Sequence, residues 1–108
     1  MHKVDDRFWV EPLGSKKEGY GLYRLGLLKA LVEKIGPTVF VAKEVSAGDV
    51  VHKGMLLFIV ESTKAAMDIE SPVDLEVEEI NLSLQNSPDI LFEDPEGHGW
   101  LLKAWIAE

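Results

Sequence analysis

The 108-residue sequence predicts a mainly β fold, a sandwich or small barrel with short flanking helices. Three observations point there. Short runs rich in Val, Ile, Leu, Phe and Trp recur along the chain, Gly, Pro, Ser and Asp punctuate them, and only one stretch of any length is spaced as a helix face. Strands this short must bury one face against another sheet, which selects a layered or closed architecture.

Taken in order, Phe8-Trp9-Val10 is the first strand run, and the six or so residues before it are expected to be loosely tied. Gly21 to Leu25 is the second strand. From Leu27 to Ile35 the rhythm changes: Leu27, Leu28, Leu31, Val32 and Ile35 fall on one helix face. Gly36 and Pro37 then stop that helix, as a left-handed cap and a residue without a donor. Thr38 to Val41 resumes the strand pattern. Gly48 to Gly54, with two glycines around a valine pair, reads as strand, turn, strand leading into Met55 to Val60. Leu75 to Ile80 is a further strand. A second helix is expected over Ser87 to Phe92, where Ser87 can cap, Pro88 suits the first turn and Asp89 favours the positive helix end. Trp100 to Ile106 closes the chain as a strand, its two tryptophans read as packing.

Composition bounds the function. A hydrophobic content of 46% is enough for one core, so residues 1–108 are read as a single domain. No apolar run approaches the ~20 residues that span a bilayer, and Met1 to Arg7 turns acidic where a secretion signal would turn apolar, so a cytoplasmic protein without membrane attachment is expected. Nineteen acidic against eleven basic residues give a net charge of -8, which disfavours nucleic acid and would attract a basic partner surface. The chain has no cysteine, so any sulfur redox chemistry must be imported. His2, His52 and His98 lack metal-ligand spacing, and no metal site is expected. Gly19 to Tyr23 lacks the third glycine of a dinucleotide fingerprint, and Ser62-Thr63-Lys64 lacks the Ser-x-x-Lys spacing of serine acyl enzymes.

The stretch richest in chemical content runs from Val60 to Pro72. An apolar strand gives way to Glu61-Ser62-Thr63, then Lys64, then Ala65-Ala66, then an alternating segment ending in Ser71-Pro72, as in a hairpin with Lys64 near its tip. Taken without its neighbours, Lys64 is an exposed, solvated lysine. A turn nevertheless projects its side chain from the sheet, and small neighbours leave room for a modifying enzyme. Acylation would remove the charge and create a long flexible arm, making the chain a substrate and shuttle rather than a catalyst.

These residues resemble the H protein of the glycine cleavage system, within the biotinyl and lipoyl carrier superfamily. Glu61-Ser62-Thr63-Lys64-Ala65 is similar to that family's Glu-Ser-x-Lys-Ala signature, with Asp68 and Ser71-Pro72 at matching offsets. Leu25 to Gly36 resembles the segment around its first helix, Thr38 to Val41 the strand after it, and Glu93-Asp94-Pro95-Glu96-Gly97-His98-Gly99-Trp100-Leu101 its C-terminal extension. The resemblance thus spans about Trp9 to Ile106. It implies a barrel-sandwich hybrid of the lipoyl-domain type, with lipoate attached covalently at Lys64 and Glu61, Ser62 and Ala65 as flanking recognition residues. It also implies partners: a lipoate ligase or octanoyl transferase, then glycine decarboxylase, aminomethyltransferase and dihydrolipoyl dehydrogenase. A monomer is expected. Thiol–disulfide exchange on an imported dithiol suits a cysteine-free chain.

The sequence departs from the family pattern at several places. Lys29-Ala30-Leu31-Val32 replaces a polar and aromatic helix segment, Met67 stands for serine, Glu70 for tyrosine, Glu96 for an aromatic residue, Pro37 for Asp, and Asp74-Leu75 for Ser-Gly. These changes are expected to alter a docking face. They lead to the reading of an H-like lipoylated variant working outside glycine cleavage, in lipoate relay, redox protection or ADP-ribosylation-linked regulation with sirtuin and macrodomain proteins. The alternatives are a conventional H protein shuttling an aminomethyl group, and a binding module with Lys64 unmodified.

Overall fold

The computed structural model describes residues 1–108 as two antiparallel sheets with three short helices. The chain runs β1 (His2–Val4), β2 (Phe8–Lys17), β3 (Tyr20–Leu27), α1 (Lys29–Ile35), β4 (Thr38–Lys43), β5 (Val50–Val51), β6 (Leu56–Ser62), β7 (Ala66–Glu70), β8 (Leu75–Ile80), α2 (Ser83–Asn86), α3 (Asp89–Glu93) and β9 (Leu102–Ala107). The larger sheet has the order β1-β2-β3-β9-β8-β5 and the smaller β4-β6-β7. One core joins them. Leu25, Val77 and Leu102 from the larger sheet belong to the same buried cluster as Val41, Phe58, Val60 and Ile69 from the smaller. The mainly β sandwich expected from the strand runs is therefore the architecture found.

Strand β2 begins with three consecutive buried residues, Phe8, Trp9 and Val10, so both faces of the sheet are covered there. Trp9 pairs with Gly26 of β3, and a methyl group on Gly26 would lie 2.4 Å from the indole. Glycine is required at that position to seat the ring. The indole Nε1–H donates to the Pro95 carbonyl at 3.0 Å, fastening the C-terminal loop over β2.

Several local expectations change. The first residues are not loose: β1 pairs with β2 in register, His2 opposite Val10 and Val4 opposite Phe8. Helix α1 begins at Lys29, because Leu27 is the last residue of β3 and the Leu28 N–H bonds the Arg7 carbonyl. Gly36 does end it with positive φ, but ψ is -179°, an extended and nearly glycine-only conformation instead of the left-handed helical one. The Ser87 side chain caps nothing; its N–H closes α2 on the Ser83 carbonyl, and its own carbonyl receives the Ile90 N–H at the start of α3. Helix α2 was unforeseen, since four residues are too few to show a period. Trp100 precedes β9 and lies under the Lys103 ammonium, 5.4 Å from the ring centre. No helix is long and apolar enough to cross a membrane.

Candidate functional site

Lys64 lies at the centre of the three-residue turn joining β6 to β7. The pair Glu61–Ala66 is the last of the ladder, and the Ser62 N–H donates to the Ala65 carbonyl at 2.8 Å to close the loop. Inside that ring the Ser62 Oγ accepts from the Lys64 N–H at 3.0 Å and the Ala65 N–H at 3.1 Å. A serine hydroxyl suits this position because its oxygen is short enough to reach the amides of its own turn. Ser62 is half-buried, while Glu61, Thr63, Lys64, Ala65 and Ala66 are exposed.

The turn is also tied to the rest of the fold. The Thr63 N–H donates to the Pro37 carbonyl at 3.1 Å, and Thr38 pairs with Ser62 across β4 and β6. Gly36 lies beneath the lysine: a Cβ built there would be 3.6 Å from Lys64 Cδ and 3.7 Å from Cε. The methylene stem of Lys64 thus runs over the corner where α1 meets β4, and the ammonium forms no ion pair. Proline at position 37 withholds no needed donor here, since its carbonyl is the group used.

The four residues singled out in the sequence, Glu61, Ser62, Lys64 and Ala65, therefore fall in one turn and its closing pair. Ser62 holds the turn, Ala65 leaves space beside the amine, and Glu61 projects on the outer face with no hydrogen bond or ion pair within the chain. The contributions of Gly36 and Pro37 were missed, because contacts between segments some thirty residues apart leave no local pattern. An exposed, unpaired amine on a fixed turn, followed by two alanines, can accept an acyl group and present it to solvent. No group of three or more His, Cys, Asp or Glu side chains is placed to hold a metal ion.

The departures from the family pattern divide between the core and the surface: Val32 and Leu75 are buried, Leu31 and Met67 are half-buried, and Lys29, Ala30, Pro37, Glu70, Asp74 and Glu96 are exposed. Val32 is fully buried and Leu31 packs against the core, leaving Lys29 and Ala30 of that segment exposed. Met67 packs on the core. Glu96 accepts the Lys29 N–H at 2.8 Å, supplying an acceptor at the start of α1. Asp74 accepts the Lys53 N–H at 2.8 Å, and neither it nor Leu75 adopts positive φ.

A family model described as Glycine cleavage H-protein matches residues 4–108. The chain is 38% identical over 95 residues to the glycine cleavage system H protein of Alteromonas mediterranea, covering 88% of this chain and 69% of that protein. It is 36% identical over 101 residues to the glycine cleavage system H-like protein of Chlamydia pneumoniae, covering 94% and 83%. Its fold is similar to the crystal structure of a glycine cleavage system H protein from Mycobacterium marinum, with a TM-score of 0.78 at 30% identity over 94% of this chain and 79% of that one.

Proposed function

The chain belongs to the glycine cleavage H-protein family, and on that premise we propose that it is a lipoylated carrier with the lipoyl group on Lys64. The observation that carries this reading is the turn: one unpaired lysine, held at a hairpin tip by the Ser62 hydroxyl and the Pro37 carbonyl. Residues 1–108 serve as one lipoyl-carrier domain, acting as a monomer in the cytoplasm. In the modification step, the deprotonated Lys64 Nζ attacks the activated carbonyl of a lipoyl donor, or of an octanoyl donor whose chain a separate sulfur-inserting enzyme then converts to lipoyl. The N–C bond of an amide forms, the bond from carbonyl to the donor's leaving group breaks, and the amine's proton leaves with the departing group or water. Glu61, Ser62 and Ala65 are the recognition residues for the lipoate ligase or octanoyl transferase that carries this out.

When attached, the lipoyl group supplies the thiol–disulfide chemistry that a chain without cysteine lacks. The chain's own part is to hold and aim. Ser62 fixes the turn, the lysine stem rests over Gly36, and the two-sheet core keeps the tip in one direction. The protein is thus a carrier and a substrate of lipoylating enzymes.

Relatives named as H proteins, a matching H-protein structure and the inward placement of Leu31 and Val32 favour the conventional role over the variant first expected. In that role the carrier serves glycine decarboxylase, aminomethyltransferase and dihydrolipoyl dehydrogenase in turn. Sirtuin and macrodomain partners find no support in these comparisons and are not part of the proposal. The likeness to the Chlamydia pneumoniae H-like protein keeps the variant role as the second reading. Lipoylated protein supplied to the three purified enzymes with glycine, tetrahydrofolate and NAD+ should sustain turnover comparable to that of an ordinary H protein. Turnover no higher than without any carrier would reject the conventional role in favour of the variant.

A further inference from the structure

The edge strand beside the Lys64 turn exposes two large apolar side chains, Val39 at 53% and Phe40 at 49%. A β-bulge puts them there. Thr38 is buried opposite Ser62, and simple alternation would turn Phe40 inward two residues later. The register slips at Val39, so Phe40 pairs with Glu61 and points outward while Val41, 1% exposed, takes the inner position. A bulge of this kind bends the strand and re-aims a side chain.

The outer face of the smaller sheet can then be followed across its strands. Phe40, Glu61 and Ala66 form one cross-strand row, and Ala42, Ile59 and Asp68 the next. Directly paired residues share a face, so Phe40 stands beside the pair that closes the lysine turn, roughly 10 Å from Lys64 by strand spacing. Glu61 and Asp68 are exposed on this face and have no ion-pair partner within the chain.

We propose that Phe40, with Val39, is the apolar anchor by which the enzyme that acylates Lys64 grips this chain, seated in an apolar recess whose rim carries basic side chains facing Glu61 and Asp68. The proposal rests on the lipoylated-carrier reading and adds the surface through which the acylating partner docks. An enzyme that brings an activated acyl group to the Lys64 amine from the outer face of the smaller sheet meets this neighbouring row first. A second copy is disfavoured, because joining two such faces would gather the unpaired Glu61 and Asp68 carboxylates of both copies into one contact, in a chain of net charge -8. Half-exposed aromatic residues at the centre of a contact are the side chains whose loss weakens binding most.

The test uses the full unmodified chain, a purified lipoate–protein ligase, lipoate and ATP, with amide formation followed by mass. Phe40→Ser should raise KM about tenfold and leave kcat within about twofold, whereas Phe40→Leu stays near the wild-type KM. The unfolding midpoint of each variant should stay within about 3 °C of wild type, since the side chain is half in water. Salt should raise the wild-type KM, as screening of a basic rim requires. A wild-type KM for Phe40→Ser, a loss confined to kcat, a KM indifferent to salt, or a wild-type dimer that Phe40→Ser dissolves would each overturn the inference. Should Phe40→Ser fail to fold, Val39→Ser decides: a KM raised about threefold supports the anchor and an unchanged KM overturns it. A wild-type chain that takes up no acyl group is a failure of the carrier reading, distinct from an acylated wild type beside an indifferent Phe40→Ser.

Discussion

Ser62 holds the lysine turn with one oxygen that serves two amides. Replacing it with alanine leaves the Lys64 and Ala65 N–H groups to water, because both are exposed. The expected cost is about 1 kcal/mol of global stability, the usual net worth of such bonds. Ser62→Ala should also acylate more slowly than wild type under equal ligase, as the turn samples other shapes; denaturant titration and ligase kinetics check the two effects. Identical kinetics would mean that the turn holds its shape without the hydroxyl. At this scale the sequence spoke clearly of Lys64, since small polar residues between an apolar run and an alternating segment announce a hairpin. It placed Gly36 at a helix end and Phe40 in a strand, and was silent on the position of either beside the lysine. One depends on a contact between α1 and a turn near position 64, the other on a bulge that reverses the alternation from which burial is read.

Individual elements carry their own signatures. The β2–β3 hairpin closes with Lys17 opposite Tyr20 over the two-residue loop Glu18-Gly19, whose φ angles are 45° and 86°. A loop with positive φ at both positions prefers Asn-Gly, and glutamate is a poor occupant of the first place. Glu18→Asn should therefore stabilise the protein by about 0.5 kcal/mol, visible as a raised denaturation midpoint with unchanged slope. The loop after α3 turns on Asp94. Its carboxylate accepts the His98 backbone N–H at 2.8 Å and lies 2.9 Å from the His98 ring Nδ1. These contacts, the backbone one first, hold its pKa below the ordinary aspartate value of 3.8. Since the folded form binds the proton less readily than the unfolded chain, this stability is present above the unfolded value and is lost as pH falls through it toward the lowered one. Asp94→Asn should remove that part of the acid limb, flattening the loss of stability below about pH 4; an unchanged limb would show that other carboxylates govern it. Strands and α1 were readable from period and turn residues. Helix α2 and the true partner of Ser87 were not, because short helices are set by the groups around them: the Asn81 side-chain oxygen accepts the Ser83 N–H at 3.3 Å, and the Asn81 amide donates to the His98 and Trp100 carbonyls.

For the whole molecule, the amount of strand and the need to pair two buried faces made a sandwich readable before any coordinate. Sheet order was not, since β3 lies beside β9 some eighty residues later and periodicity carries no information on such pairings. The resulting body is a platform with an exposed amine on one hairpin, and the central claim is that this amine receives a lipoyl group. The most direct test is intact mass of the chain produced with lipoate and a lipoate ligase, beside Lys64→Arg, which keeps the charge and removes the acceptor. The wild type should gain the mass of one lipoyl group, mapped to the peptide containing Lys64, and Lys64→Arg should gain none. An unmodified wild type, or a gain that survives Lys64→Arg, would show that Lys64 is not the acceptor.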